Sequence, residues 1–373
     1  MHHAILKVKD GDVSGAVNEM LQRLLSSAGI EALLVPQAVP SKKTVFPVLI
    51  SDPKKLHADV FAPVLPVSTA AMVSRMTKVQ PSSKSFGVVM HPCQIRALVE
   101  LAKLNQVKLD NVVIIGMDCL GTFPVNTYAN FPEKKHPTLF LLESFTKKTN
   151  DSEKYLRTAC TVCTDMVPSN ADIVIGLYGM DVEHEILIEA HTEKGEKLLE
   201  SLQLESGKDM KHRETAVKTV HEHQLKKYQT FIKEKSGLKG IALFAEFFDT
   251  CVNCHNCKTA CPICYCRECL YESAVFDAEA YKFLRKAQTK GLLKMPQDTL
   301  LFHLGRMNHM VLSCVKCGLC EQACPNNIPL MDVFIPAAER TQKEFSYHPG
   351  KDIAEKIPMI VYREDEYKEV GEK

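Results

Sequence analysis

The chain has 373 residues, enough for two or three domains, with a formal net charge of +1 and 45% apolar residues. That balance excludes a basic nucleic-acid-binding face and permits a sizeable core. No apolar stretch is long enough to span a bilayer, and the N-terminus MHHAILKVKDGDVSG shows neither a secretory signal nor a twin-arginine pair, so the expectation is a cytoplasmic protein.

Residues 14–28 set Val17, Met20, Leu21, Leu24 and Leu25 on one face at helical spacing, and Gly29 stops that helix. Residues 30–35 and 44–50 read as strands and 67–78 as a helix. Residues 86–90 (FGVVM) and 112–116 (VVIIG) read as buried strands, with a helix over 94–104 between them. Strands alternating with helices predict a mainly parallel sheet covered on both faces. No GxGxxG follows any strand, so the Rossmann fingerprint is absent. In DGDVSG, Gly11 and Gly15 flank the first turn of a helix. Free backbone N–H groups there suit a phosphate, or Asp12 or Ser14 simply caps the helix.

Cys93 follows the strand at 86–90 and Cys119 the strand at 112–116. Open α/β sheets gather ligands at those carboxyl ends. Cys160 and Cys163 add a CxxC. Each cysteine alone also reads as a small buried side chain, and the CxxC as a redox dithiol. A dithiol motif wants a helix starting at its first cysteine, whereas Asp165, Pro168 and the Ser169–Asn170 pair predict a loop. The four thiols therefore read as the ligands of one 4Fe-4S cluster.

Residues 193–235 are charged and helical, with pairs such as Glu222–Lys226 on a solvated face. Gly237 and Gly240 follow, then the apolar IALFAEFF at 241–248, whose aromatics are expected to pack beside a cluster. Residues 251–269, CVNCHNCKTACPICYCREC, hold seven cysteines in nineteen positions, and CVKCGLCEQACP begins at Cys314. Cys-x2-Cys-x2-Cys followed by Cys-Pro is a cluster pattern in which the last cysteine serves the other cluster. One cluster then takes Cys251, Cys254, Cys257 and Cys324, and the next Cys314, Cys317, Cys320 and Cys261. Zinc sites use paired ligands instead. Cys264, Cys266 and Cys269 read either as thiols beside a cluster or as a further metal site. Helices are expected over 278–290, 298–312 and 331–340. The tail from 355 carries an apolar strip, IPMIVY, that suits a partner.

Two cysteine runs parted by helical sequence resemble the α-helical ferredoxin domain of heterodisulfide reductase and succinate dehydrogenase iron–sulfur subunits. DGDVSGAV (10–17), FGVVMHPCQIRAL (86–98), VVIIGMDCLGTF (112–123), CTVCTDMVPSNADIVIGLYG (160–179) and HTEKGEKLLESL (191–202) together resemble the beta subunit of the coenzyme F420-reducing hydrogenase and formate dehydrogenase family.

The resemblance implies an oxidoreductase subunit of anaerobic metabolism that binds FAD. Its family cluster matches Cys93, Cys119, Cys160 and Cys163, making three 4Fe-4S clusters in all. It suggests flavin contacts at Asp10, Gly11, Ser14, Gly15, His91, Thr192, Lys194 and Gly195. The implied layout is a flavin and iron–sulfur α/β domain (1–225), a linker (226–245), a helical two-cluster ferredoxin domain (246–345) and a tail (346–373). A catalytic formate dehydrogenase or hydrogenase subunit is the implied partner. The acceptor is coenzyme F420, NAD(P) or a heterodisulfide-reductase-like assembly, the last making the chain a pure relay. Asp12, the pair Met90–His91, and His191 depart from the family pattern, which bears on deazaflavin recognition.

Overall fold

The computed structural model describes residues 2–27, 29–207, 211–237 and 240–361. One sheet of eight strands organises the N-terminal part: β1 (His2–Lys7), β2 (Ala32–Ala38), β3 (Val45–Ile50), β4 (Phe86–Met90), β5 (Val112–Met117), β6 (Ile173–Gly176), β7 (Glu185–Ala190) and β8 (Glu205–Ser206). Their order across the sheet is β3-β2-β4-β5-β6-β7-β1-β8. Every residue of β4, β5 and β6 is buried, as central parallel strands covered on both faces require.

The sheet is mixed, which corrects the expectation of a mainly parallel one. The β2–β4, β4–β5 and β5–β6 pairs are parallel, whereas β2–β3, β6–β7, β1–β7 and β1–β8 are antiparallel. The physical reason is connection length. Residues 177–184 are too few for a crossover, so β7 returns beside β6 as a hairpin, and β1 then pairs on the same hand.

The N-terminal helices are α1 (Val13–Ser27), α2 (Thr69–Thr77), α3 (Pro92–Lys103), α4 (Val125–Ala129), α5 (Pro137–Thr146), α6 (Thr158–Thr161) and α7 (Glu193–Leu202). Alternate side chains of each strand point to opposite faces. Val89, Ile115 and Ile175 meet Val17, Leu21 and Leu24 of α1 and Leu198 and Leu202 of α7. Val88, Met90 and Ile114 meet Ala70 and Val73 of α2 and Ile95 and Leu98 of α3.

The C-terminal part is helical: α8 (Lys211–Lys235), α9 (Ile241–Phe247), α10 (Asn256–Ala260), α11 (Ala280–Lys290), α12 (Thr299–Met310), α13 (Leu319–Gln322) and α14 (Met331–Glu344). Ile263, Met310 and Val315 join the core on the α3 side of the sheet. Phe248, Phe302, Leu330 and Phe334 form a separate core that also takes in Ala159 and Val162. The stretch read as a linker is the end of α8 and then α9, and Tyr228 within it is buried, its hydroxyl donating to Glu339 at 2.6 Å.

Part of the segment read as a tail is docked rather than free. Tyr347 Oη donates to the buried Glu100 at 2.5 Å, and the Gly350 N–H donates to the same carboxylate at 2.8 Å. Arg96 Nε donates to the Pro349 carbonyl at 2.9 Å. Ile357 is buried against Leu312 and Tyr347. The physical reason is that Glu100, buried inside α3 with Lys103 of the same helix 3.3 Å away, takes its hydrogen-bond donors Tyr347 and Gly350 from this returning strap. Residues 362–373, with the end of the apolar strip, lie outside the described residues.

Candidate iron–sulfur site

Strands β4 and β5 end side by side, in register Met90↔Gly116, and deliver their following loops to one place. Cys93 sits in the first turn of α3, and Cys119 two residues beyond β5. The Cys119 N–H donates to the Met166 carbonyl at 2.8 Å, and Tyr178 Oη donates to the Cys119 carbonyl at 2.8 Å, which ties the β5 loop to the CxxC loop. One cavity is lined by Cys93, Cys119, Cys160 and Cys163, with Cys317 of the C-terminal run in its wall. The single-turn helix α6 runs through Cys160 and ends at Thr161, its N-cap Arg157 lies extended, and Asp165, Pro168, Ser169 and Asn170 lie in the loop expected there.

A second cavity is lined by Cys251, Cys254, Cys257 and Cys324. These are the four that the crossed spacing rule selects. His303 Nε2 lies 3.4 Å from Cys251 Sγ and its ring stacks on Phe248 at 3.8 Å, so an IALFAEFF aromatic packs beside these thiols as expected. Burial pushes Cys314, Cys317 and Cys320 up, and Cys261 lies close enough to all three to add to that effect. Cys317 also feels Cys93, so the three sets follow one another through the molecule.

Burial governs the thiols. It pushes Cys93, Cys119, Cys163 and Cys317 up, with neighbouring thiolates adding to the effect. Cys257 and Cys314 are each pushed up to about 11, again mainly by burial. A redox dithiol needs a depressed thiol pKa. These thiols ionise only when something positive draws the proton away, as a metal does. Among the described residues no three ligand-type side chains converge on a single-ion position. Four thiols spread around a cavity suit a cube, which binds one thiolate per iron, and do not suit tetrahedral zinc.

The residues expected to touch a flavin do not form one group. Gly11 and Asp10 have positive φ at the cysteine end of the sheet. The Gly15 N–H there donates to Asp12 Oδ1 at 2.8 Å, so the helix start of α1 is capped from within. Thr192, Lys194 and Gly195 lie at the opposite end, where β7 finishes beside the start of β6. Thr192 Oγ1 accepts from the Gly195 N–H at 3.1 Å and donates to Asp172 at 2.6 Å, while Lys194 Nζ donates to the Val112 carbonyl at 2.7 Å. The physical reason is that β7 runs antiparallel to β6. His91 caps α3, with Nδ1 3.5 Å from Cys119 Sγ, and burial lowers it to about 4, so its ring is neutral.

Beside the cysteine cavity, and sharing Asp165 and Met166 with it, lies a larger one of about 380 Å³. Arg96, Tyr178, His221, His348 and Lys351 line it. Burial alone would raise Asp165. Arg96, at 2.6 Å, and His348, at 2.9 Å, more than offset it and hold the carboxyl well below the usual range. Of the remaining cysteines, Cys266 is exposed, Cys264 packs on the α3 side and Cys269 in the helical core.

Sequence reasoning gave no site role to Arg96, Arg157, Asp165 or Arg306. None belongs to a spacing motif. For Arg96 in α3 and Arg306 in α12 the available signal was a charged residue inside a helix rich in apolar residues; Arg157, which caps α6, and Asp165, in the loop after it, carried no such signal.

Residues 83–214 match the family model for the C-terminal part of the coenzyme F420 hydrogenase/dehydrogenase beta subunit, and residues 248–328 match the 4Fe-4S dicluster domain. The chain is 26% identical to the F420-dependent formate dehydrogenase subunit beta of Methanocaldococcus jannaschii, over 92% of this chain and 94% of that one. It is 28% identical to the F420-dependent formate dehydrogenase 1 subunit beta of Methanococcus maripaludis, over 92% of each chain. A chain of the F420-reducing NiFe hydrogenase complex from Methanosarcina barkeri aligns with a TM-score of 0.46 and 15% identity, over 63% of this chain and 92% of that one.

Proposed function

We propose that the chain is the electron-transfer beta subunit of a formate dehydrogenase or hydrogenase complex, a reading supported by the match of residues 83–214 to the C-terminal part of the coenzyme F420 hydrogenase/dehydrogenase beta subunit and of residues 248–328 to a 4Fe-4S dicluster domain. In this reading it is an oxidoreductase subunit that works in the cytoplasm of an anaerobe. It exchanges electrons with a catalytic partner subunit and with coenzyme F420 or another acceptor. The observation that carries the reading is the cavity in which Cys93, Cys119, Cys160 and Cys163 meet the wall residue Cys317.

Cys93, Cys119, Cys160 and Cys163 would hold one cluster; Cys261, Cys314, Cys317 and Cys320 the next; and Cys251, Cys254, Cys257 and Cys324 the outermost. Bound clusters supply single-electron chemistry and a bound FAD two-electron chemistry, with potentials set by charge, hydrogen bonds and exposure. The chain's own residues orient the thiols and exclude water. Thr122 Oγ1 sits 3.3 Å from Cys160 Sγ, and the Asn253 N–H donates to Cys251 Sγ at 3.4 Å. Cys254 is exposed, which puts the outermost set within reach of a partner. The cavity of about 380 Å³ beside Asp165 falls in the size range of ligand sites, and its His221 and Lys351 suit an anionic coenzyme, which supports a flavin site there.

Anaerobic purification followed by iron, sulfide and flavin analysis tests the assignment. About twelve irons and bound FAD per chain are expected; about sixteen would recruit Cys264, Cys266 and Cys269. Fewer than about eight irons, or no flavin, would overturn it.

One observation favours a second reading. The expected flavin contacts lie at opposite ends of the sheet, and Asp12 takes the Gly15 N–H. A chain with no soluble coenzyme would be a protein-to-protein relay, handing on to heterodisulfide-reductase-like subunits. Dithionite-driven reduction of coenzyme F420 or NAD(P) by the isolated chain separates the two, since a relay turns over neither.

A further inference from the structure

Two buried arginines stand where neighbouring cysteine sets meet. Arg157, 6% exposed, donates from Nε to Thr122 Oγ1 at 2.8 Å and lies 3.7 Å from Cys160 Sγ through Nη2. Its Nη1 has no acceptor among the described residues. That nitrogen would lie 3.8 Å from a Cβ on Gly318, next to Cys317, and Cys317 and Arg157 line the cavity of Cys93 and Cys160 together. Arg306, 3% exposed, lies over the Phe334 ring at 4.5 Å, and its Nε and Nη1 have no acceptor among the described residues. Phe334 shares its core with Cys257 and Cys320, and, against the cost of burial, the charges of Cys320, Cys257 and Cys261 favour the protonated guanidinium.

A buried guanidinium without a carboxylate partner is costly unless another anion balances it. Sulfur is the main anion-forming group around both; Glu321 is a carboxyl that the Arg157 charge also reaches, without an ion pair between them. Arg157 faces the Cys93 set and the Cys317 set. Arg306 faces the Cys317 set, through Cys320 and Cys261, and the Cys257 set.

We propose that Arg157 and Arg306 are shared counter-charges, each placed between two adjacent clusters and holding both of their reduction potentials up. The proposal rests on the three-cluster reading above. Each cluster that accepts one electron gains one negative charge, and a fixed positive charge beside it favours that gain. N–H donors aimed at sulfur act in the same direction. Arginine suits the place because its planar fork presents donors on two sides and stays protonated.

The test is a potentiometric titration of the iron-loaded protein followed by electron paramagnetic resonance, for wild type, Arg157→Gln and Arg306→Gln. Each variant should lower two of the three potentials, with a tenfold or larger fall in each reduction equilibrium, about 59 mV for one electron. Arg157→Gln should spare the Cys251 set and Arg306→Gln the Cys93 set. The middle set should respond to both. Full iron with unmoved potentials, or a shift confined to one cluster, overturns the inference. Missing clusters in the wild-type protein overturn the underlying reading instead. Should a Gln variant fail to load iron, the Lys variant decides. Lys keeps the charge, so both neighbouring potentials should stay within threefold of the wild-type equilibrium, and a tenfold shift overturns the inference.

Discussion

Gly318, inside the second cysteine run, lies so close to Ala159, just ahead of Cys160, that a Cβ on Gly318 would stand 2.6 Å from the Ala159 Cβ. The two halves of the chain therefore touch at the backbone beside two cysteine sets. Gly318 also has φ +72, a conformation that side chains disfavour.

Gly318→Ala should then cost about 1–2 kcal/mol from backbone strain alone, with the collision adding to it. Denaturant unfolding of the purified protein reads the loss. Iron content should fall first in the sets containing Cys160 and Cys317. An unchanged midpoint with full iron would count against the contact.

Serine at Cys93, Cys119, Cys160 or Cys163 should each remove about four irons per chain and leave about eight. Serine at Cys266, which is exposed, should leave the iron content unchanged. A loss of all iron from any single variant would mean that the sets are not separate.

Asp59 gives a pH dependence away from the thiols. Burial raises it, although Thr138 Oγ1 donates to it at 2.8 Å. Its folded-state pKa thus exceeds its unfolded one, near 3.9. Between those two values the folded state holds the extra proton, so stability falls as pH rises through the window, by at most about 1.4 kcal/mol per pH unit. Asp59→Asn should remove that slope. Its advantage over wild type should grow as pH climbs from about 4 and then level off. A gap between the two proteins that stays constant with pH would refute this.

Tyr347→Phe deletes the hydroxyl that donates to Glu100 at 2.5 Å, in a site where Lys103 Nζ also lies 3.3 Å from the carboxylate. Leaving the buried carboxylate short of a donor should cost about 1–3 kcal/mol. Limited proteolysis should then cut within 346–361 faster than in wild type. Equal cutting rates would mean that the strap is held by other contacts.

The local elements were largely legible. The strands FGVVM and VVIIG, the amphipathic α1 and the helices around the cysteine runs stand where periodicity puts them. The mixed sheet was not, because parallel or antiparallel pairing depends on where a connection leads and not on the strand's own side chains. The residues expected to touch a flavin lie apart for the same reason: β7 turns back and carries Thr192 and Gly195 to the far end.

What the sequence determined by itself is the cysteine spacing of the two C-terminal runs, which matches a 4Fe-4S dicluster domain, since spacing on a short stretch of backbone is a local property. The four thiols nearer the N-terminus are separated by long stretches of chain, and only the side-by-side ends of β4 and β5 and the return of the α6 loop bring them to one cavity. Arg157 and Arg306 belong wholly to that second category. Nothing near them in the chain marks them, and their meaning comes from burial between sulfur sets that folding brings together.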